Sequence, residues 1–167
     1  EQNCFEELDI YDIAQNCVEM LRLSAKKHDV TMELHGVHRI ICANRQMMDE
    51  LVYNLCDNAI RYNNPGGRVD ITVDAAVAFD KTAETGATII EVKDTGIGIS
   101  KEHQERIFER FYRVDKSRSK STGGTGLGLA IVKHIVAAHK NASLSLTSEP
   151  GKGTCIRVDF KMKTNLE

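Results

Sequence analysis

The chain is short of most features that would place it in a special class. No apolar run in its 167 residues approaches the ~20 needed to cross a bilayer. The start, EQNCFEELD, is acidic where a secretory leader would be basic and then apolar. A cytosolic polypeptide without direct membrane contact is expected. Net charge is only −2, so the chain carries no basic footprint for nucleic acid. Its five cysteines (Cys4, Cys17, Cys42, Cys56 and Cys155) are scattered and never in C-x-x-C spacing, and the histidines form no H-E-x-x-H pattern. A Cys/His metal site is disfavoured, and reduced core thiols are expected. There is no internal repeat.

What remains suits one domain. Apolar residues make up 41% and charged residues 28%, ordinary values for a soluble fold. A chain of this length buries roughly two thirds of its unfolded surface, enough for one core without disulfide or metal. Apolar spacing predicts helices over 9–28, with Asp9 as N-cap, and over 45–62, which 63–67 (NNPGG) stops. Runs 29–34, 39–43, 69–75 and 88–93 read as strands, with a turn at 79–86. A short helix over 102–111 precedes a Ser/Lys/Arg-rich segment, 113–122, expected to be a mobile loop. A helix over 126–139 and strands 143–148 and 154–161, joined by 149–153, complete the order. Helices on one face of a mixed sheet are expected.

Three features carry candidate chemistry. Asn54, Asn58, Arg61 and Tyr62 fall at i, i+4, i+7 and i+8 on one helix face. Two carboxamides and a cation there suit Mg²⁺ bound mainly through a ligand's phosphates, the alternative being a solvated polar face. Asp94-Thr95-Gly96-Ile97-Gly98-Ile99 closes a strand with a carboxylate, though Asp-x-Gly is also a common turn. Last, STGGTGLGLAI sets four glycines before a helix N-terminus, where free N–H groups attract anions. Familiar nucleotide fingerprints do not fit these. Lys101 and Ile131 occupy the third glycine of G-x-G-x-x-G, Leu146 breaks G-x-x-x-x-G-K-[ST], and V-A-I-K, H-R-D and D-F-G are absent.

In order, NLCDNAIRYNNPGG, DTGIGI, FERFYRVD and GGTGLGLAIVKHIV closely resemble the N box, first glycine box, F box and second glycine box of sensor histidine kinases. The resemblance implies an α+β fold: a two-layer α/β sandwich, the Bergerat fold, whose mixed β-sheet has about three helices packed on one face. It implies a catalytic ATP-binding domain over 9–162, with 1–8 a linker from a dimerisation and phosphoacceptor domain outside this chain and 163–167 a tail. Asn58 matches the family's Mg²⁺-binding asparagine, with Asn54 beside it, and Arg61 stands where a basic residue faces the phosphates of ATP. Those three are the implied catalytic set. Tyr62 is implied near the nucleotide. Asp94 matches the aspartate that accepts the exocyclic amine of adenine, and Gly96, Gly98 and Ile99 form the segment the base approaches. Guanine would leave that buried carboxylate unpaired. Phe108 and Phe111 match the F box, with core packing the other reading of Phe108, and residues 112–125 match a lid over ATP. Gly124, Thr125, Gly126, Leu127 and Gly128 match the second glycine box, and Thr154 stands where the resemblance implies a threonine near the adenine.

One position separates activities within the superfamily. ATP-hydrolysing relatives, and serine kinases of anti-sigma type, usually carry Glu four residues before the Mg²⁺ asparagine; here it is Asn54. A carboxamide cannot take a proton, whereas a neutral imidazole needs little activation, so transfer to histidine is favoured over hydrolysis. No histidine of this chain has the phosphoacceptor context of His, acidic, basic, Thr, Pro. The resemblance therefore implies a two-component signal-transduction kinase whose substrate histidine lies on the separate domain. A response regulator is an indirect partner, and the full-length protein is expected to be membrane-anchored. A Bergerat ATPase or anti-sigma-type serine kinase is the alternative, and a nucleotide-binding or partner-binding module without catalysis is the third reading.

Overall fold

Local chemistry starts and stops the helices. In the computed structural model, which describes residues 4–77, 84–114 and 127–162, Asp9 Oδ1 accepts the Tyr11 N–H at 3.0 Å and caps α1 (Ile10–Lys27). Asn44 does the same for α2 (Arg45–Arg61), accepting the Met47 N–H at 2.9 Å. Met48, Leu51, Val52, Leu55, Cys56, Ala59 and Ile60 repeat at helical spacing along α2, and all are buried. This helix lies between α1 and α4 (Gly128–Ala138), and its inner face helps close the core.

Five strands form the main sheet: β2 (Val30–Gly36), β4 (Gly67–Val77), β5 (Glu84–Asp94), β6 (Ala142–Glu149) and β7 (Gly153–Phe160). Their order is β2-β4-β5-β7-β6, with β2 and β4 parallel and the other pairs antiparallel. Strand periodicity sends Val69, Ile71, Val73, Ile90, Val92, Ile156 and Val158 to one face, where the three long helices cover them. Glu33, Asp70, Glu91 and Arg157 occupy the other, polar face. The expected two-layer sandwich and mixed sheet are present. Two smaller strands, β1 (Glu6–Asp9) and β3 (Ile40–Ala43), pair antiparallel beside this sheet, so part of the expected linker is hydrogen-bonded strand.

Several local expectations need correction. Residues 84–86, read as turn, already belong to β5, because the ladder to β4 continues past a register shift to pair Val77 with Glu84. The helix expected over 102–111 is one turn, α3 (Lys101–Gln104). Beyond it the backbone closes three-residue turns, with Arg106, Glu109 and Tyr112 N–H groups donating to His103, Arg106 and Glu109. Phe111 then takes a left-handed φ of 63°, which a helix cannot propagate. Cys17 and Cys56 are core thiols as expected, but Cys4 is exposed and Cys42 half-buried. Cys155 lies on the polar sheet face, where its thiol donates to Glu91 Oε1 at 2.8 Å.

Candidate active site

A cleft of about 340 Å³ opens between the outer face of α2, the end of β5, the turns after α3 and the start of α4. Asn54, Asp57, Asn58, Arg61 and Tyr62 line its helical side. Asn54 Nδ2 donates to the Glu50 carbonyl one turn back at 2.7 Å, which leaves its Oδ1 on the outer face. Asn58 makes no side-chain hydrogen bond among the described residues. Arg61 Nε donates to Asp57 Oδ2 at 2.9 Å, a half-buried i, i+4 pair. A Cβ on Gly128 would lie 3.2 Å from Asn54 Oδ1, so glycine here lets the start of α4 come close against α2.

Asp94 closes the sheet side. It is buried, and its Oδ1 accepts two backbone N–H groups, from Gly96 at 2.8 Å and Thr154 at 3.2 Å. Burial pushes its carboxyl up to about 6, while those two bonds pull in the opposite direction. Oδ2 makes no hydrogen bond among the described residues. The site therefore presents a carboxylate oxygen able to accept from a ligand.

The glycines of DTGIGI answer to the protein first. A Cβ on Gly96 would lie 2.3 Å from the Tyr62 carbonyl, and one on Gly98, at φ +71°, 2.1 Å from that of Glu149. Ile97 N–H donates to Tyr62 O at 3.1 Å, and its carbonyl accepts from Gly151 at 2.8 Å. This segment is clamped between the C-terminus of α2 and the β6–β7 turn. Close backbone packing, rather than approach of a base, explains Gly96, which is buried and does not line the cleft.

Comparison with known proteins places this arrangement. Residues 43–164 match the family model described as histidine kinase-, DNA gyrase B-, and HSP90-like ATPase. The chain belongs to this family. Among curated family members, the sensor histidine kinase RppB of Synechocystis is 44% identical over 143 residues, 85% of this chain and 30% of that protein. The sensor-like histidine kinase SenX3 of Mycolicibacterium smegmatis is 40% identical over 149 residues, 88% and 36% of the two chains. This chain thus spans about a third of the length of these relatives. Of solved structures, the mycobacterial sensor histidine kinase MprB aligns with TM-score 0.76 at 25% identity, covering 94% of this chain and 97% of that one. The nucleotide-free catalytic domain of histidine kinase ThkA aligns with TM-score 0.77 at 19% identity, covering 95% of each chain, and supports the fold.

Within this ATPase-family cleft the structure gathers Asn54, Asn58, Arg61, Tyr62, Asp94, Gly98, Ile99, Gly128 and Thr154. Gly124, Thr125 and Gly126 lie outside the described residues, as does the expected mobile loop from 115 onward. Leu127 is half-buried and not part of the lining. Phe108 is displaced from the site. The three-residue turns carry it onto the apolar cluster, beside a separate cavity with Val136, Leu144 and Leu146. Tyr112 and Arg113, expected at the start of the lid, do line the cleft. Sequence reasoning missed Asp57, Ile97, Ile107 and Leu129. Asp57, Ile97 and Leu129 lie inside the quoted motifs, and Asp57 left a further signal in its i, i+4 spacing to Arg61; Ile107 left none.

Proposed function

We propose that this chain is the ATP-binding catalytic domain of a two-component sensor histidine kinase, cytoplasmic, delivering the γ-phosphoryl of ATP to a histidine on the dimerisation domain of the same full-length protein. One observation carries the choice of kinase over hydrolase. Of the two described carboxylates lining the cleft, Asp57 pairs with Arg61, and Asp94 sits away at the sheet end, with Oδ1 held by backbone N–H groups and only Oδ2 open. The position one turn before Asn58 is a carboxamide bonded to its own helix. Among the described residues, the Asn58 end of the lining thus holds no carboxylate other than Asp57, which is paired with Arg61. An incoming neutral imidazole needs no carboxylate base: its nitrogen attacks the γ-phosphorus, the bond to ADP oxygen breaks, and ADP leaves.

The donor set fits a hard divalent cation. Asn58 Oδ1, with Asn54 Oδ1 beside it, offers neutral oxygen in a cleft sized for a nucleotide, as Mg²⁺ held mainly by phosphates requires. Bound there, Mg²⁺ supplies charge neutralisation at the phosphates. Asp94 Oδ2 accepts the exocyclic amine of adenine, and Arg61, with the N–H groups at the start of α4, faces the phosphates. Transfer then depends on positioning and electrostatics more than on acid–base work.

The test supplies γ-labelled ATP, Mg²⁺ and the separately produced dimerisation domain of the same protein. Label should move to that domain as an acid-labile, base-stable phosphoramidate, with little phosphate released when the domain is left out. Steady ATP hydrolysis by the chain alone would instead establish the ATPase alternative.

A further inference from the structure

Asp94, Thr154 and Ser148 form one polar row across the apolar face of the sheet. Asp94 of β5 pairs directly with Thr154 of β7, and Thr154 with Ser148 of β6. The next row inward is Val92, Ile156 and Leu146, so this polar end is a distinct layer. Ser148 does not line the cleft, yet its hydroxyl meets three groups. Ile99 N–H donates to its Oγ at 2.8 Å, the Gly153 carbonyl lies at 3.0 Å, and Thr154 Oγ1 lies at 2.8 Å.

Proton accounting fixes the direction of these bonds. A serine hydroxyl has one hydrogen and two acceptor positions. The Gly153 carbonyl can only accept, so the Ser148 hydrogen goes to it. The Ile99 N–H can only donate, and takes one acceptor position. For the contact with Thr154 to be a hydrogen bond, the threonine hydroxyl must then donate to Ser148. Thr154 Oγ1 therefore turns lone pairs, and not its proton, toward the cleft. Beside it Asp94 Oδ2 is likewise an acceptor, while the Thr154 N–H holds Asp94 Oδ1.

We propose that Ser148 is a positioning residue for base selectivity: by taking the Thr154 proton and fixing Ile99, it makes Thr154 Oγ1 and Asp94 Oδ2 a pair of acceptors that selects the amino group of adenine over the carbonyl of hypoxanthine. This rests on the adenine-nucleotide reading of the cleft. Without Ser148 the Thr154 hydroxyl loses its acceptor, rotates, and donates into the cleft, where a purine carbonyl can use it.

The experiment measures binding of ADP and inosine diphosphate to the parent chain and to Ser148→Ala, Ser148→Cys and Ser148→Thr, with thermal melting of each. The parent should prefer ADP. Ser148→Ala and Ser148→Cys should shrink that preference about tenfold, mostly through improved inosine diphosphate binding, while Ser148→Thr, which keeps the hydroxyl, should restore it. Equal loss of both ligands, or an unchanged preference in either folded variant that lacks the hydroxyl, overturns the proposal. If Ser148→Ala does not fold, Ser148→Cys, closer in size, decides by the same ratio. A parent chain that binds neither nucleotide sinks the nucleotide reading and this proposal together, whereas a parent that prefers ADP with variants that do the same sinks the proposal alone.

Discussion

At the sheet end of the cleft, Asp94 Oδ1 holds two N–H groups, Ser148 holds three partners, and Gly98 fits only because no Cβ stands between it and Glu149. At the helix end, among the described residues, Asn58 makes no side-chain hydrogen bond and Asn54 is tied only to the carbonyl one turn back. One end is over-determined by backbone contacts before a ligand arrives; the other offers side chains whose geometry a ligand completes. The difference suits the division of labour in the proposed function, with base at the sheet end and phosphates and cation at the helix end. A flat, rigid base gains most from a preorganised pocket, whereas phosphates and a cation change geometry during transfer and gain from groups that can follow them.

The sharpest way to break this contrast is Asp94→Asn. The new carboxamide oxygen keeps the Gly96 and Thr154 N–H bonds, so the fold survives, but it turns an NH₂ group toward the adenine amine. Donor against donor in a buried site, with loss of the charged acceptor, should cost about 3 kcal/mol, or roughly a hundredfold in ADP affinity. Calorimetric titration checks it, and an affinity within threefold of the parent would remove Asp94 from the base site.

Rigidity at the sheet end predicts next that its glycines carry stability. Gly98→Ala forces a Cβ onto the Glu149 carbonyl at a positive φ and should lower unfolding free energy by about 3 kcal/mol. Gly66 also has positive φ, +81°, yet a Cβ there meets nothing within 4 Å. Gly66→Ala should therefore cost only the ~1 kcal/mol of the left-handed backbone. Urea denaturation of the two variants compares them. Equal losses would mean that backbone strain, and not the clamp, accounts for both.

At the helix end the order of effects reverses. Asn58→Ala should leave the melting temperature within a degree or two of the parent, since the carboxamide bonds to nothing described. ADP affinity in Mg²⁺ should fall about tenfold. In chelator the two proteins should bind alike. A tenfold loss that persists without Mg²⁺ would show Asn58 touching the nucleotide and not the cation.

These two ends were not equally legible in the sequence. The helical set Asn54, Asn58 and Arg61 could be read from spacing, because 3.6-residue periodicity fixes which side chains share a face. Most strands of the main sheet followed from β-rich or alternating runs and the mixed sheet from element order, while β1 and the first residues of β5 did not. Asp94 was legible as a residue type in a motif and Thr154 only through the resemblance, while Ser148 was not legible at all. Thr154 and Ser148 lie 60 and 54 positions away, and only the register of β5, β7 and β6 brings them together. Gly96 and Gly98 were read as room for a base, because sequence shows the missing side chain and not the carbonyl that fills its place. Phe108 had two readings, a nucleotide-side F-box residue and a core residue, and its packing fits the second. A motif match does not say which way the Phe108 ring turns; the three-residue turns after Gln104 carry it to the core.

The smallest expected effect comes from the titration of Asp94. Its folded carboxyl sits at about 6 because it is buried, above the usual range of an aspartate. A raised carboxyl favours the folded state fully below the unfolded value and loses that contribution as pH rises from about 4 through about 6. Nucleotide binding runs the other way, since the adenine amine bonds best to the ionised form and so pulls the carboxyl down. With a free-state value near 6, the ionised fraction rises from about a quarter at pH 5.5 to about nine tenths at pH 7, so ADP affinity should climb roughly fourfold over that interval. Binding near pH 6 should release protons, visible as a dependence of the calorimetric enthalpy on buffer ionisation. Asp94→Asn should abolish both signals, while Asn58→Ala, acting at the other end, should leave them intact. A flat pH profile in the parent would mean that Asp94 is already ionised in the free cleft, and that the sheet end is wetter than its burial indicates.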